Sequence, residues 1–278
     1  MLYPNFNVNK ITIKRREQNI WDTQKSTEVD AKWAQKKEEL RREIRKNNNF
    51  QVENINKIKK LSIWIFIVPL ISLNACLILI TNFHQFFNLE HIVLPTIPYI
   101  DGGVSISRTA RVFPTYLIFK PAMFITAFFL VQYWRFNSDL MSKINPNLNY
   151  KKFFLFFGIG SAIFLVLHSI FLGIKFDNDF YKFFRRVLVL TFIIFEIIAQ
   201  TILVINFYKI KEQIKEFINS RILNIKIVLV SILIVAAFIS IPFLASKGYN
   251  SFKHALEWNY FIGVISFYLL TFFFWKKQ

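Results

Sequence analysis

The chain has 278 residues, 54% of them hydrophobic, and a mean hydropathy of +0.37. The apolar residues occur in long unbroken runs, which are typical of transmembrane helices and exclude an ordinary soluble domain. The formal net charge is +18, and because the basic residues flank apolar runs, it indicates membrane orientation and anionic lipid rather than nucleic acid.

The first 60 residues form a basic segment without an apolar span, with 15 Lys/Arg against 8 Asp/Glu. Within this segment, Thr27 as an N-cap and a narrow apolar stripe predict a helix over 27–46. The run Asn47-Asn48-Asn49 is predicted to end that helix before the membrane. The helix is either a solvated cytoplasmic element or one that binds anionic lipid or a protein partner.

Six apolar runs follow, each long enough to cross the hydrocarbon core as a helix. They lie at about 61–82, 114–134, 153–174, 187–208, 225–244 and 256–275. The distribution of Lys and Arg places both termini in the cytoplasm. We therefore predict an all-α fold, in which the basic segment 1–60 precedes one six-span bundle at 61–278.

Polar side chains inside spans are costly in hydrocarbon and are therefore functional candidates. These candidates are Asn74, Lys120, His168, Glu196 and, one turn deeper, Gln200. All but Gln200 fall in the predicted outer half of the bilayer, which predicts a polar pocket open to that side with a Lys120–Glu196 ion pair. Alternatively, Lys120 extends to the interface, Glu196 is protonated, and the remaining groups hold helices together.

The third span carries small residues at helical spacing. Gly158 and Ala162 lie four residues apart, which permits close contact between helices. The pattern predicts internal packing or, alternatively, the face of a homodimer.

No motif indicates a cofactor or a metal. The sequence has no glycine-rich phosphate loop, and His84, His91, His168 and His254 lack the spacing of metal ligands. We therefore expect neither a cofactor nor a metal site.

The first outer loop, 83–113, is the longest connection predicted on that face. Asp101-Gly102-Gly103 predicts a sharp turn, because glycine allows positive φ. Arg108 and Arg111 then lie beside the outer end of the second span, where an arginine pair suits a phosphate or carboxylate. The alternative is a surface loop with an internal Asp101–arginine ion pair.

The segment 98–103, Pro-Tyr-Ile-Asp-Gly-Gly, precedes an apolar span, and Glu257-Trp258 opens the last one. Together with Thr271-Phe272, these residues resemble the six-span family of the damage-regulated autophagy modulators (DRAM) and the lipid-remodelling factor that acts after GPI attachment. The matching positions are Asp101, Gly103, Glu257 and Trp258, whereas the family's serine before the aspartate and its Pro-Glu after the loop are missing. The resemblance, over roughly 61–278, implies six spans with both ends inside and a role in lipid handling or membrane homeostasis.

Three functions agree with these features. The first is a multi-pass membrane protein that binds or organises lipid without catalysis, with anionic lipid at the basic segment. The second is a lipid-modifying acyltransferase or hydrolase, in which His168 is the general base and Asp101 or Glu257 assists. The third is a small-solute transporter that uses Lys120 and Glu196. The richness in Lys, Asn, Ile and Phe favours a bacterial inner membrane over a eukaryotic endomembrane.

Overall fold

The computed structural model describes residues 27–88, 91–144, 151–174, 179–246 and 248–276. Most of these residues are helical, and no named strand occurs among them. The predicted all-α fold class is confirmed.

In the described ranges, six helices are long and apolar enough to cross a membrane. The α-helices are α1 (Thr27–Asn82), α2 (Ile106–Ala110), α3 (Thr115–Ile144), α4 (Lys151–Phe171), α5 (Asp179–Lys209), α6 (Ser220–Ala245) and α7 (Asn250–Phe274). A 3₁₀ turn at His84–Phe86 follows α1, and the five-residue α2 is the only α-helix of this set that is not a candidate span. The predicted six spans are confirmed, and the chain is a multi-pass integral membrane protein.

Helix α1 is longer than predicted. The predicted helix at 27–46 is present, but the predicted break at residues 47–49 is wrong, because α1 continues without interruption to Asn82. Asparagine costs a helix only about 0.7 kcal/mol or less per residue and lacks the steric clash of proline. Burial of Ile55 and Ile58 against the bundle offsets that cost. At 1.5 Å per residue, α1 is about 84 Å long, and its basic part extends well beyond the roughly 45 Å of α3.

The six long helices pack as a closed ring in chain order. Helix α1 contacts α3, and each later helix contacts the next one along the chain until α7 returns to α1. The return is fastened where Lys59 Nζ of α1 donates to the carbonyl oxygen of Trp275 at 3.1 Å. Short connections between consecutive spans make neighbouring helices antiparallel, which favours this order.

The small residues of α4 serve packing within the chain. A Cβ atom on Gly158 would lie 2.4 Å from the indole ring of Trp134 in α3, and Ala162 is buried. Of the two predicted uses of this face, internal packing is therefore the one that the structure bears out.

The bundle has two ends, which we name by their contents. The loop end carries residues 91–114 and was predicted to face outward; the basic end carries the extension of α1. At the basic end, residues 217–219 pair with the last residue of α7 and the two residues that follow it. Asn219 N donates to Phe274 O at 2.8 Å, and Lys276 N donates to Phe217 O at 2.9 Å.

Candidate functional site

A cavity of about 110 Å³ lies between the helices of the ring. Its walls come from α1, α2, α3, α4, α5 and α7, whereas α6 contributes no lining residue. Its apolar lining residues are Ile65, Pro69, Leu73, Ile106, Phe119, Met123, Leu130, Leu165, Val189, Phe192, Ile193, Phe261, Val264 and Ile265. His168, Glu196 and Glu257 also line it, so the structure brings three predicted candidates from three different helices to one cavity.

The carboxyl group of Glu196 is the most completely hydrogen-bonded of these three. Glu196 is buried, and Ser161 Oγ donates to its Oε2 at 2.6 Å. Gln200 Nε2 donates to Oε1 at 3.0 Å, and the hydroxyl of Tyr268 donates to the same oxygen. Donors from α4, α5 and α7 therefore converge on one acceptor, which offsets the cost of carrying it into hydrocarbon.

Gln200 was predicted to lie one turn deeper than Glu196, and its side-chain amide hydrogen-bonds to the carboxyl group of that residue. Its amide nitrogen also donates to the carbonyl oxygen of Val264 at 3.3 Å. Its Oε1 atom is buried without a hydrogen-bond partner. The side chain thus joins α5 to α7 and keeps one acceptor free.

His168 lies in the last turn of α4 and is 7% exposed. Its Nδ1 atom is buried without a hydrogen-bond partner. His168 lines the cavity, and its Nδ1 can donate or accept a hydrogen bond depending on the tautomer.

Glu257 enters the cavity wall from the first turns of α7. Its carboxyl group lies close to the backbone N–H groups of Ile106 and Ser107 in α2. Glu257 and His168 share one cavity, whereas Asp101 is not among the lining residues. Of the two acid partners predicted for His168, only Glu257 is placed beside the same space.

The predicted ion pair between Lys120 and Glu196 is wrong. Lys120 Nζ donates instead to the carbonyl oxygen of Ile170 at 3.3 Å, and it lies over the ring of Tyr116 at 5.6 Å from the centroid. The exposed C-terminal carbonyl of α4 offers the ammonium group an acceptor near the end of the bundle, where solvation is less costly than beside Glu196. Lys120 does not line the cavity.

Asn74 also lies outside the cavity lining, and its role is to hold the loop. Its Nδ2 donates to Leu70 O at 2.8 Å within α1. Its Oδ1 accepts from the hydroxyl of Tyr99 at 3.1 Å. Asn74 therefore ties the loop before α2 to the first span.

The carboxylate of Asp101 organises the predicted sharp turn. It accepts hydrogen bonds from Thr96 Oγ1 at 2.5 Å and from the backbone N–H groups of Ile97 and Gly103, both at 2.9 Å. These bonds, that from Thr96 foremost, lower the pKa of Asp101 below its usual value. The predicted alternative, an ion pair between Asp101 and an arginine, is not formed.

The turn is docked on the first half of α7. Gly102 has a φ of +62°, and a Cβ atom there would lie 1.7 Å from the carbonyl oxygen of Ser251, so glycine is required by both conformation and space. Gly103 also has no room for a side chain, because a Cβ atom would meet Thr96 Oγ1 at 2.3 Å. The indole N–H of Trp258 donates to Val104 O at 2.8 Å. Asp101 and Trp258 are thereby brought to one loop–helix contact.

Arg108 and Arg111 lie beside the start of α3, as predicted. Ser105 caps α2 by accepting from the backbone N–H of Arg108 at 3.2 Å. Partial burial, and the nearby positive charges of Arg185 and Arg108, lower the pKa of Arg111. Arg185, in the second turn of α5, therefore belongs to the same cationic region.

Sequence reasoning missed Lys226, which is fully buried near the start of α6. Its Nζ donates to Thr271 Oγ1 at 2.8 Å and lies over the ring of Phe267 at 3.9 Å from the centroid. The rings of Phe274 and Phe207 are 5.2 and 5.8 Å away. Lys226 was not among the candidates, because it stands at the edge of the predicted fifth span, where lysine side chains commonly extend to solvent.

Tyr268, which bonds Glu196, and Thr271, which bonds Lys226, lie with Glu257 on one face of α7. We call these three residues the polar stripe. Tyr268 follows Glu257 by 11 residues and Thr271 follows it by 14, spacings that share one helix face over about 21 Å. Thr271 contacts Lys226 and the hydroxyl of Tyr133, whose ring lies 5.0 Å from that of Tyr268. This 11- and 14-residue spacing was the available signal for Tyr268 and Thr271.

Comparison with protein-family models, characterised proteins and solved structures yields no match for this chain. Within the residues that the structure describes, no three His, Cys, Asp or Glu side chains are grouped in a way that could hold a metal.

Lowering the pH should destabilise the turn at residues 96–104. Because the folded loop lowers the pKa of Asp101, its stabilising effect is present above the ordinary aspartate pKa of about 4 and is lost as the pH falls through the lower folded value. Hydrogen exchange at Ile97 and Gly103 should quicken in this range beyond its intrinsic pH dependence. Asp101→Asn should show fast exchange already at pH 7, and equal protection in both proteins would contradict the assignment.

Tyr268→Phe should lower the free energy of unfolding by about 1–3 kcal/mol, because a buried oxygen of Glu196 loses a donor. Unfolding in mixed micelles measures this change, and Tyr249→Phe, at an exposed ring, is the matched control. A cycle with Glu196→Gln should give a coupling of about 0.5–3 kcal/mol. Additive effects would show that the two side chains do not interact.

Proposed function

We propose that this protein binds a membrane lipid or a related amphiphile in the cavity of the ring and acts by holding that molecule rather than by transforming it. The observation that carries the proposal is a largely apolar cavity inside the bundle with His168, Glu196 and Glu257 in its wall. An acyl chain matches the apolar part of the wall, and polar groups fix orientation in such sites.

The size of the cavity supports a ligand larger than water. A single water needs roughly 10–15 Å³ of such volume, and this cavity offers about 110 Å³. Much of the lining comes from Leu, Ile, Val and Phe side chains, which offer water few hydrogen-bond partners. The free Nδ1 of His168 then provides a polar contact for the glycerol or ester region of the ligand.

The location of the loop also supports this function. Residues 96–104 are held against α7 by Trp258 and against α1 by the contact between Tyr99 and Asn74. They link two helices whose side chains line the cavity. The resemblance to a family that handles lipids, stated from the sequence, agrees with this proposal.

Filling the cavity should remove the ligand. In Val264→Phe, a larger ring occupies space beside Glu196, so a lipid retained by the wild-type protein should be lost or reduced at least tenfold. Val235→Phe is the matched control, because Val235 is 54% exposed on α6, outside the cavity wall. Native mass spectrometry of the detergent-purified proteins, with extraction and identification of bound lipid, measures both.

Two results would count against lipid binding in the cavity. One is the absence of any retained lipid from wild-type protein under mild purification. The other is equal retention by both phenylalanine variants while melting temperatures show that both are folded, since the lipid would then lie on the outer surface of the bundle.

A second candidate function is the transport of a proton or small cation, which the buried groups of the basic half favour. Thr271 of the polar stripe lies beyond the cavity toward the basic end, and it hydrogen-bonds Lys226 of α6 and Tyr133 of α3. The sequence alone had offered few polar groups in that half. The stripe therefore provides polar side chains along much of the bundle, as a transport path requires.

If the protein transports protons, replacing a charged residue that contacts the polar stripe by a neutral one should reduce the proton flux. In proteoliposomes with an imposed potassium diffusion potential, wild-type protein should carry proton flux above that of empty vesicles. Lys226→Met should reduce it at least tenfold, whereas Lys215→Met, at an exposed residue of the basic end, should not. Flux equal to that of empty vesicles in the wild type would exclude proton transport under these conditions.

A further inference from the structure

The geometry points to an anion-binding site at the loop end, formed by Arg108, Arg111 and Arg185, that receives the phosphate or carboxylate headgroup of the amphiphile whose chain occupies the cavity. This inference rests on the proposed function and specifies the chemical class of the ligand. The group that the arginines recognise could belong to a lipid or to a free anion, and the experiment below separates these sources.

Three separate elements bring the arginines to one region. Arg108 lies in α2, Arg111 follows it, and Arg185 lies near the start of α5. The backbone at Arg111 lies against the end of α4, where a Cβ atom on Gly173 would be 3.0 Å from Arg111 O. The start of α5 packs on the same end of α4, because the hydroxyl of Tyr181 donates to Phe171 O at 2.7 Å. The charges of Arg108 and Arg185 both contribute to the lowered pKa of Arg111.

The guanidinium groups of the three arginines have N–H donors that can bind an anion. Across the ranges that the structure describes, no ion pair joins a carboxylate to any of the three. Arg185 lies over the ring of Tyr181 at 5.3 Å, and its Nε atom is buried without a hydrogen-bond partner. Like charges grouped in this way repel one another, and a bound anion would relieve the repulsion while accepting bidentate hydrogen bonds.

The arginines adjoin the end of the cavity. Ser107, which precedes Arg108, lines the cavity, and so does Val189, one helical turn after Arg185. His168, in the last turn of α4, lines the same cavity, with a buried and unpartnered Nδ1. A ligand could therefore place its chain against the apolar wall and its anionic group among the guanidinium groups.

The test compares headgroups on one acyl chain. Purified full-length protein in a neutral detergent is titrated with a monoacyl phosphatidylglycerol and with the monoacyl phosphatidylcholine of the same chain, and binding is followed by native mass spectrometry. Wild-type protein should bind the anionic lipid about tenfold or more tightly than the zwitterionic one. Arg111→Gln/Arg185→Gln should lose this preference and keep its affinity for the zwitterionic lipid.

Two controls accompany the double variant. Arg186→Gln removes an exposed arginine next to Arg185 and should behave as wild type. Arg111→Lys/Arg185→Lys retains the charge and should keep part of the preference, which separates loss of charge from a folding defect. Melting temperatures of all variants are measured in the same detergent.

The outcomes distinguish the anionic site from lipid binding in the cavity. Equal binding of both lipids by wild-type protein would overturn the anionic site and leave lipid binding intact. Binding of neither lipid would overturn the proposed function itself. If inorganic phosphate raises the melting temperature of the wild type but not of the double glutamine variant, and no lipid preference exists, the arginines bind a free anion and the headgroup assignment is wrong.

Discussion

A hydrogen-bonding group carried into hydrocarbon has no water as an alternative partner, so within this ring it can be satisfied only by groups from its own or another helix. Glu196 shows the consequence most clearly, because Ser161, Gln200 and Tyr268 bring donors to it from three helices. Rotating any of these helices about its axis would break at least one of these hydrogen bonds. The cluster therefore specifies how α4, α5 and α7 face one another.

The same constraint explains the placement of the cavity. The polar cluster and the closure of α7 on α1 hold the long helices in a ring, and space remains between the side chains of five of them and α2. The docked turn at residues 96–104 ties α1 and α7 together at the loop end. The proposed binding of an amphiphile rests on the shape of this cavity and on the few polar groups in its wall.

Lys226 and Glu196 are two buried ionisable side chains that do not form an ion pair with each other. Both are buried within one bundle, and Lys226 has aromatic rings and one hydroxyl as neighbours instead of a carboxylate. Tyr268, Tyr133 and Thr271 lie between the two groups. Burial of an ionisable side chain without a direct counter-charge is expensive, so its presence favours a functional role over one in stability alone.

Hydropathy and charge in the sequence determined the all-α class, the six spans and the identity of most polar candidates, because these depend on the composition of contiguous segments. His168, Glu196 and Glu257 were recognisable in this way, and the turn at Asp101 was readable from its glycines. The continuation of α1 through residues 47–49 was not, since burial of Ile55 and Ile58 outweighs a weak local preference.

Only the tertiary structure decided which of these groups meet. Lys120 and Glu196 lie in spans whose relative rotation the sequence does not encode locally, so their similar predicted depth did not make them partners. The same rotation buries Lys226 among aromatic rings, although lysines near span ends commonly extend to solvent. Depth follows from position along one segment, whereas partnership depends on how the ridges and grooves of separate helices pack, and that is settled by the whole ring.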